Sequence, residues 1–133
     1  ENLGWALDKE PENVSPKVVE AIERGRKFSD ADFAEACKIR TETIAYFHSF
    51  FHDFDAILTP SAPGSAPLFE DGTGNPIFST IWTFCGLPCV TLPLLTSEVG
   101  LPMGVQLVGG FEEDDRLLRT ATWMLRHLTD EDE

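Results

Sequence analysis

Basic side chains are scarce in these 133 residues: 10 lysines and arginines stand against 23 acids, for a net charge of −13. Such a chain offers no basic face to the phosphates of a nucleic acid, and it suits an anionic membrane surface no better. The charge serves solubility instead. Apolar runs are short throughout, far from the roughly 18 residues a membrane span needs. The opening ENLGWALDKEPEN has no basic stretch followed by an apolar one, so no signal peptide is expected there. It has no initiator Met either, and a piece of a longer protein is the expectation. Cysteines are few and odd in number, three in all, which excludes a disulfide framework and points to a reducing, cytoplasmic setting.

Metal-binding patterns are thin as well. His48 and His52 are spaced to share a face of a helix and could share a metal, but HSFFH has no acid at its second position and no third ligand is evident. A solvated helix end is the plainer reading. Cys85 and Cys89 enclose three residues rather than two, and Gly86 and Pro88 shape the backbone between them. Two small, inert, buried hydrophobes are expected, with a redox or zinc pair as the alternative. No metal and no organic cofactor is predicted.

What is present is globular. The hydrophobic fraction is 42% and the aromatic fraction 11%, enough for one domain with a core. Residues 1–14 show no sustained period and read as irregular. Ser15 and Pro16 read as a helix cap and first residue, with Gly25 as the stop. Ser29 caps a second helix, with Asp32 placed for a capping box. Phe33, Cys37, Arg40, Ile44, Phe47 and Phe51 recur at helical spacing and form one mainly apolar stripe. A buried strand is expected over Asp53–Pro60. The Pro- and Gly-rich stretch 60–76 follows as an ordered but irregular loop, and its length suggests function.

The stretch Trp82–Gly110 then organises the rest. It holds two apolar runs, Cys89–Leu95 and Met103–Gly109, each introduced by Gly-Leu-Pro. Runs of that length between turn formers fit strands buried on both faces, with Pro88 and Pro102 at or before the first residue. Ile77–Cys85 is ambiguous between strand and helix. A final helix starts at the acids Glu112–Asp115 and ends near Arg126 and His127, as the helix dipole prefers. Leu117, Leu118, Ala121, Leu125 and Leu128 are its expected core face. The last residues, 129–133, read as an acidic tail. The expected class is α/β with a mixed or parallel sheet, and too few helices to cover it.

The order GLP, an apolar run ending in Pro, then GLPMGVQLVG and an acidic, leucine-rich helix resembles the C-terminal end of the amidase signature family. DAILTP at Asp55–Pro60, followed by Ala66-Pro67, resembles that family's preceding strand and loop. The similarity covers roughly residues 29–128. Its most specific piece is GLPMGVQL, because Gln106 within an apolar strand is no generic core choice. The resemblance implies that 1–133 is a C-terminal part of an amidase domain, and that the intact fold is an α/β/α sandwich with a mixed sheet. It also tips Ile77–Cys85 toward a short helix ending at Gly86. The activity implied is hydrolysis of a small-molecule carboxamide by Ser-Ser-Lys acyl transfer, without metal or cofactor.

The family's Gly/Ser-rich nucleophile segment has no match here. Ser61, Ser65 and Ser79 each stand without an adjacent base, which a serine needs at neutral pH. Lys9, Lys17, Lys27 and Lys38 sit in polar surroundings. No catalytic residue is therefore assigned, and the chain alone is expected to be inactive. What the resemblance assigns is a pocket wall, from Ser61–Phe69 and Phe78–Trp82, with Phe78, Ile81 and Trp82 as substrate-pocket residues. Pro76 stands where glutamine-dependent relatives carry an Asp, and Thr83 where they carry an Asn. The first weighs against a glutamine substrate and against a structural subunit of an amide-transfer complex. A free-standing α/β interaction module is the alternative of another class, and self-association through open strand edges is expected.

Overall fold

In the computed structural model, which describes residues 4–129, the helix capped by Ser29 is the longest element, Asp30–Asp53. Its cap forms as the sequence predicts. The Ser29 N–H donates to Asp32 Oδ2 at 2.8 Å, and the Asp32 N–H donates back to Ser29 Oγ at 3.2 Å. Two short helices precede it, α1 (Gly4–Lys9) and α2 (Pro16–Gly25), with a 3₁₀ turn at Pro11–Asn13, so the described part of the stretch expected to be irregular is largely helical. Ser15 caps α2 by backbone alone: its carbonyl accepts from Val18 and Val19, and its hydroxyl makes no cap bond.

Among the described residues, those up to Ile39 and those from Arg40 on form separate compact units. The first joins α1 to α2 through an exposed Asp8–Arg26 ion pair. The helix Asp30–Asp53 is α3. Of its predicted stripe, Phe47 and Phe51 are buried and Ile44 packs beside them, whereas Phe33 and Cys37 are exposed.

The second unit holds the sheet: β1 (Ile57–Pro60), β2 (Cys89–Thr96) and β3 (Pro102–Val108), in the order β1-β3-β2. The α/β class is as expected. The pairing within these three strands is antiparallel throughout, so they contribute no parallel pair to a mixed sheet. Asp53 belongs to α3 rather than to a strand, because the helical stripe runs on through it before Ile57 turns extended. Pro102 opens β3, where its missing N–H breaks no ladder. The β2–β3 register slips between Leu92 and Leu95, where Pro93 cannot donate.

Two further helices complete the unit, α4 (Thr80–Cys85) and α5 (Asp114–Thr129). One face of the sheet sends Val108 and Ile57 into a cluster with Phe47, Phe51, Cys85 and Leu87 from α3 and the α4 region. The other face packs Leu107, Leu92 and Val90 against Leu117, Ala121 and Met124 of α5. The sheet thus lies between helices. Of the predicted α5 core face Leu117 and Ala121 are buried, Met124 packs beside them, and Leu118, Leu125 and Leu128 are exposed. Spacings of four and three from Leu117 meet the sheet, and Leu118 turns away by one residue.

Cover of the sheet is incomplete, as so few helices imply. Along β1 exposed and half-buried residues alternate, β2 has one buried residue, Leu92, and β3 is buried continuously from Gln106 on. The helices reach one end of the sheet and leave the hairpin end, with Leu95, Val99 and Leu101, exposed.

Candidate functional site

The sheet face toward α4 changes character along the strands. In its first row, Ile57–Val108–Cys89, Val108 and Ile57 join the apolar cluster. The next row on the same face, Thr59–Gln106–Thr91, is polar. Gln106 is 5% exposed, and its Nε2 donates to the Phe78 carbonyl at 3.0 Å and to Thr59 Oγ1 at 3.2 Å. A buried amide in a strand is tolerated because its donors are satisfied. Beyond it the Ser61 N–H donates to the Gly104 carbonyl at 3.1 Å, continuing the ladder one residue past β1. The Ser61 hydroxyl donates to Thr91 Oγ1 at 3.2 Å, passing over Gly104. A Cβ on Gly104 would collide with Thr91 Cγ2, so only glycine fits beneath this pair.

Residues 77–79 turn into α4. The Pro76 carbonyl accepts from the N–H groups of Ser79 and Thr80, and Asn75 Oδ1 accepts from the Ile77 N–H at 3.0 Å. The helix ends where Gly86 takes φ 71° at its left-handed cap, a conformation that glycine adopts without strain. Arg40 Nε donates to the Phe84 carbonyl at 2.6 Å, placing a cation at that helix end.

Of the three residues predicted to line a pocket, Phe78 and Trp82 are half-buried and Ile81 is exposed. The Trp82 ring packs edge-on against Phe47, with centroids 5.5 Å apart, so part of its surface belongs to the core. Its indole N–H is buried and, among the described residues, has no acceptor. Gln106 brings Phe78 to the row that holds Thr59 and, through Thr91, Ser61. Sequence reasoning singled out Gln106 but missed Thr59 and Thr91. The available signal was a lone polar residue inside each apolar run, ILTP and CVTLP.

Two clefts lie elsewhere, and neither is lined by Phe78, Ile81 or Trp82. One, of about 270 Å³, is bordered by His48, Phe51, His52, Gly110, Glu113 and Arg116. The two imidazoles stand edge to face with centroids 5.1 Å apart. Among the described residues no three His, Cys, Asp or Glu side chains gather to hold a metal ion. Arg116 is a structural tie there: it donates to the Phe51 carbonyl and to the carboxylates of Glu113 and Asp55. Cys85 is fully buried, whereas Cys89 is exposed, against the expectation of two buried thiols. Desolvation raises the pKa of both, with Arg40 opposing it at Cys85. Cys89 sits on the outer strand β2.

A profile of the Amidase family matches residues 4–118 of this chain. The chain belongs to the Amidase family. It is 36% identical over 101 residues to the A-type subunit of glutamyl-tRNA(Gln) amidotransferase from Prochlorococcus marinus strain AS9601, covering 71% of this chain and 21% of that protein. The corresponding subunit from Brevibacillus brevis is 33% identical over 101 residues, again covering 71% and 21%. The chain therefore spans about a fifth of the length of these curated relatives. Among solved structures, an amidase crystal structure superposes with a TM-score of 0.79 at 28% identity, over 94% of this chain and 31% of that one. The A-type amidotransferase subunit of Thermotoga maritima gives 0.56 at 26% identity, over 84% and 27%. No helix among the described residues is long and apolar enough to cross a membrane.

Proposed function

We propose that this Amidase-family chain supplies the sheet core and one wall of the substrate pocket of a carboxamide hydrolase. In this reading it is the C-terminal part of the amidase domain, working in the cytoplasm, and the Ser-Ser-Lys machinery of the intact enzyme is contributed by other parts of that domain. The chain alone is then inactive, and its exposed apolar surface and open strand edges make it self-associate when isolated. The carrying observation is the hydrogen bond from Gln106 to the Phe78 carbonyl, which ties the family-like GLPMGVQL strand to the predicted wall. Phe78, Ile81 and Trp82 then face an acyl group. With Pro76 in place of an acid, this corner suits an acyl group without a free amine, since an unpaired buried ammonium is costly.

The test is Trp82→Ala in the intact enzyme. Losing aromatic contact should weaken transition-state binding of aryl-acyl amides by about 1–3 kcal/mol. That lowers kcat/KM roughly tenfold or more, with a much smaller effect on acetamide. An equal fall for both substrates would make Trp82 a core residue and remove the pocket reading.

A second reading is favoured by the amidotransferase subunits among the relatives: a part of an amide-transfer complex with glutamine as its substrate. Pro76 weighs against it. Glutaminase activity of the intact protein exceeding its aryl-amidase activity would reverse the preference.

A further inference from the structure

We propose that Gln106 is a positioning residue that sets where α4 stands on the sheet, and with it Ile81 and Trp82; this rests on the pocket-wall reading above. The helix has only six residues, too few to hold its own shape in water. It is fastened at both ends. At its C-terminal end the fastening is Arg40 to the Phe84 carbonyl, from a side chain on an exposed residue of α3. At the other end, two residues ahead of Thr80, it is Gln106 to the Phe78 carbonyl, from a buried side chain on the central strand. The buried fastening is the stiffer one.

The chemistry of the amide makes this anchor specific. Both Nε2 hydrogens are engaged, one with the Phe78 carbonyl and one with Thr59 Oγ1. The Thr59 hydroxyl donates its own hydrogen to the Pro60 carbonyl at 3.0 Å, so its oxygen is left to accept from Gln106. The amide orientation is thereby fixed, because the reverse one would set Oε1 against the Phe78 carbonyl oxygen. Glutamate lacks the donors when ionised, asparagine is one methylene shorter, and methionine fills the volume without donating. Glutamine alone among these reaches and donates.

Hydrogen exchange on the full 133-residue chain tests this. The reporters are the amides of Thr83, Gly86 and Leu87, which donate to the carbonyls of Ser79, Thr83 and Trp82. Gln106→Met should speed their exchange about tenfold, the scale of one lost hydrogen bond, and leave the β2–β3 ladder within about twofold. Thr59→Val, which removes the other acceptor, should leave α4 protected. In a Trp5→Phe, Trp123→Phe background the remaining Trp82 emission should move to the red in Gln106→Met and not in Thr59→Val. Unchanged exchange at Thr83–Leu87 would overturn the proposal. So would an equal rise across α4 and the sheet, including loss of the fold, since Gln106 would then be a general core residue. No ligand enters this measurement, so the anchor can fail while the pocket reading stands, and the reverse.

Discussion

Gly104, the glycine of GLPMG, should tolerate no side chain, and the reason is steric rather than conformational. Its φ lies outside the left-handed region, so alanine meets no backbone strain there. The conflict is with what crosses above it. The new Cβ would run into Thr91 Cγ2 and lie 2.7 Å from Ser61 Oγ, and the neighbouring Ser61 carbon is 3.3 Å away. Contacts under 3.0 Å force movement, and Thr91 is on the paired strand β2, one row along. Overpacking of this kind costs about 1–3 kcal/mol.

The choice of second variant isolates the cause. Thr91→Ser removes the methyl that the new Cβ would strike and keeps the hydroxyl that accepts from Ser61. Gly104→Ala should therefore cost less in that background, by about 1 kcal/mol or more, within the usual range for touching residues. Urea unfolding of the four proteins, followed by tryptophan emission, gives the cycle if the m-values agree. Additivity within about 0.5 kcal/mol would refute the steric account. A cost below that for Gly104→Ala in the native background would refute the close packing itself.

Other outcomes follow from burial and charge. Val108→Ala, at a fully buried position, should cost about 2 kcal/mol, whereas Leu58→Ala, at a position 58% exposed, should stay within about 0.5 in the same unfolding assay. Alkylation followed by mass spectrometry should modify Cys89 well before Cys85, and both rates should still be climbing with pH past the ordinary thiol range, where an unshifted thiol levels off, because desolvation holds both pKa values up. Asp32 has its pKa lowered by the Ser29 hydroxyl and N–H, so its cap stabilises above the ordinary carboxylate range and is lost as pH falls through the depressed value. Asp32→Asn should remove that acid-range dependence, read as helix content by circular dichroism at low salt. The purified chain should show no turnover of simple amides, and turnover that survives alanine at Ser61, Ser65 and Ser79 would overturn the view that its catalytic groups lie elsewhere.

Punctuation made much of this fold legible. Ser29 with Asp32, Gly86 at the end of α4 and Pro102 at the start of β3 are local signals, and each marks a boundary within a residue or two. Burial was less legible, because it depends on which neighbour arrives. The stripe on α3 has one period from Phe33 to Phe51, yet only Phe47 and Phe51 meet the sheet. The α5 face was legible in part: Leu117 and Ala121 lie over the sheet as expected and Met124 joins them, while Leu118 is a single residue off that line. Strand direction was not legible either, since an apolar run reads the same toward both ends. The pairing of β1 with β3 joins residues about fifty apart, and no turn chemistry announces it.

The site candidate was legible only through its anomaly. Successive rows on one face of a strand are about 6.7 Å apart, two residues of rise. In two such steps the α4 side of the sheet passes from Val108, fully buried, to Gln106 between Thr59 and Thr91, and then to bare Gly104 under the Ser61–Thr91 pair. An apolar row holds a helix down; a polar row holds a backbone carbonyl in a chosen place. Phe78 is the residue where the two meet: its carbonyl is held by Gln106, and α4 begins two residues later. A strand that served the core alone would need no such step, and a leucine at 106 would bury more apolar surface at less risk. The glutamine is therefore best accounted for by what it holds, and that is the turn that carries Phe78, Ile81 and Trp82.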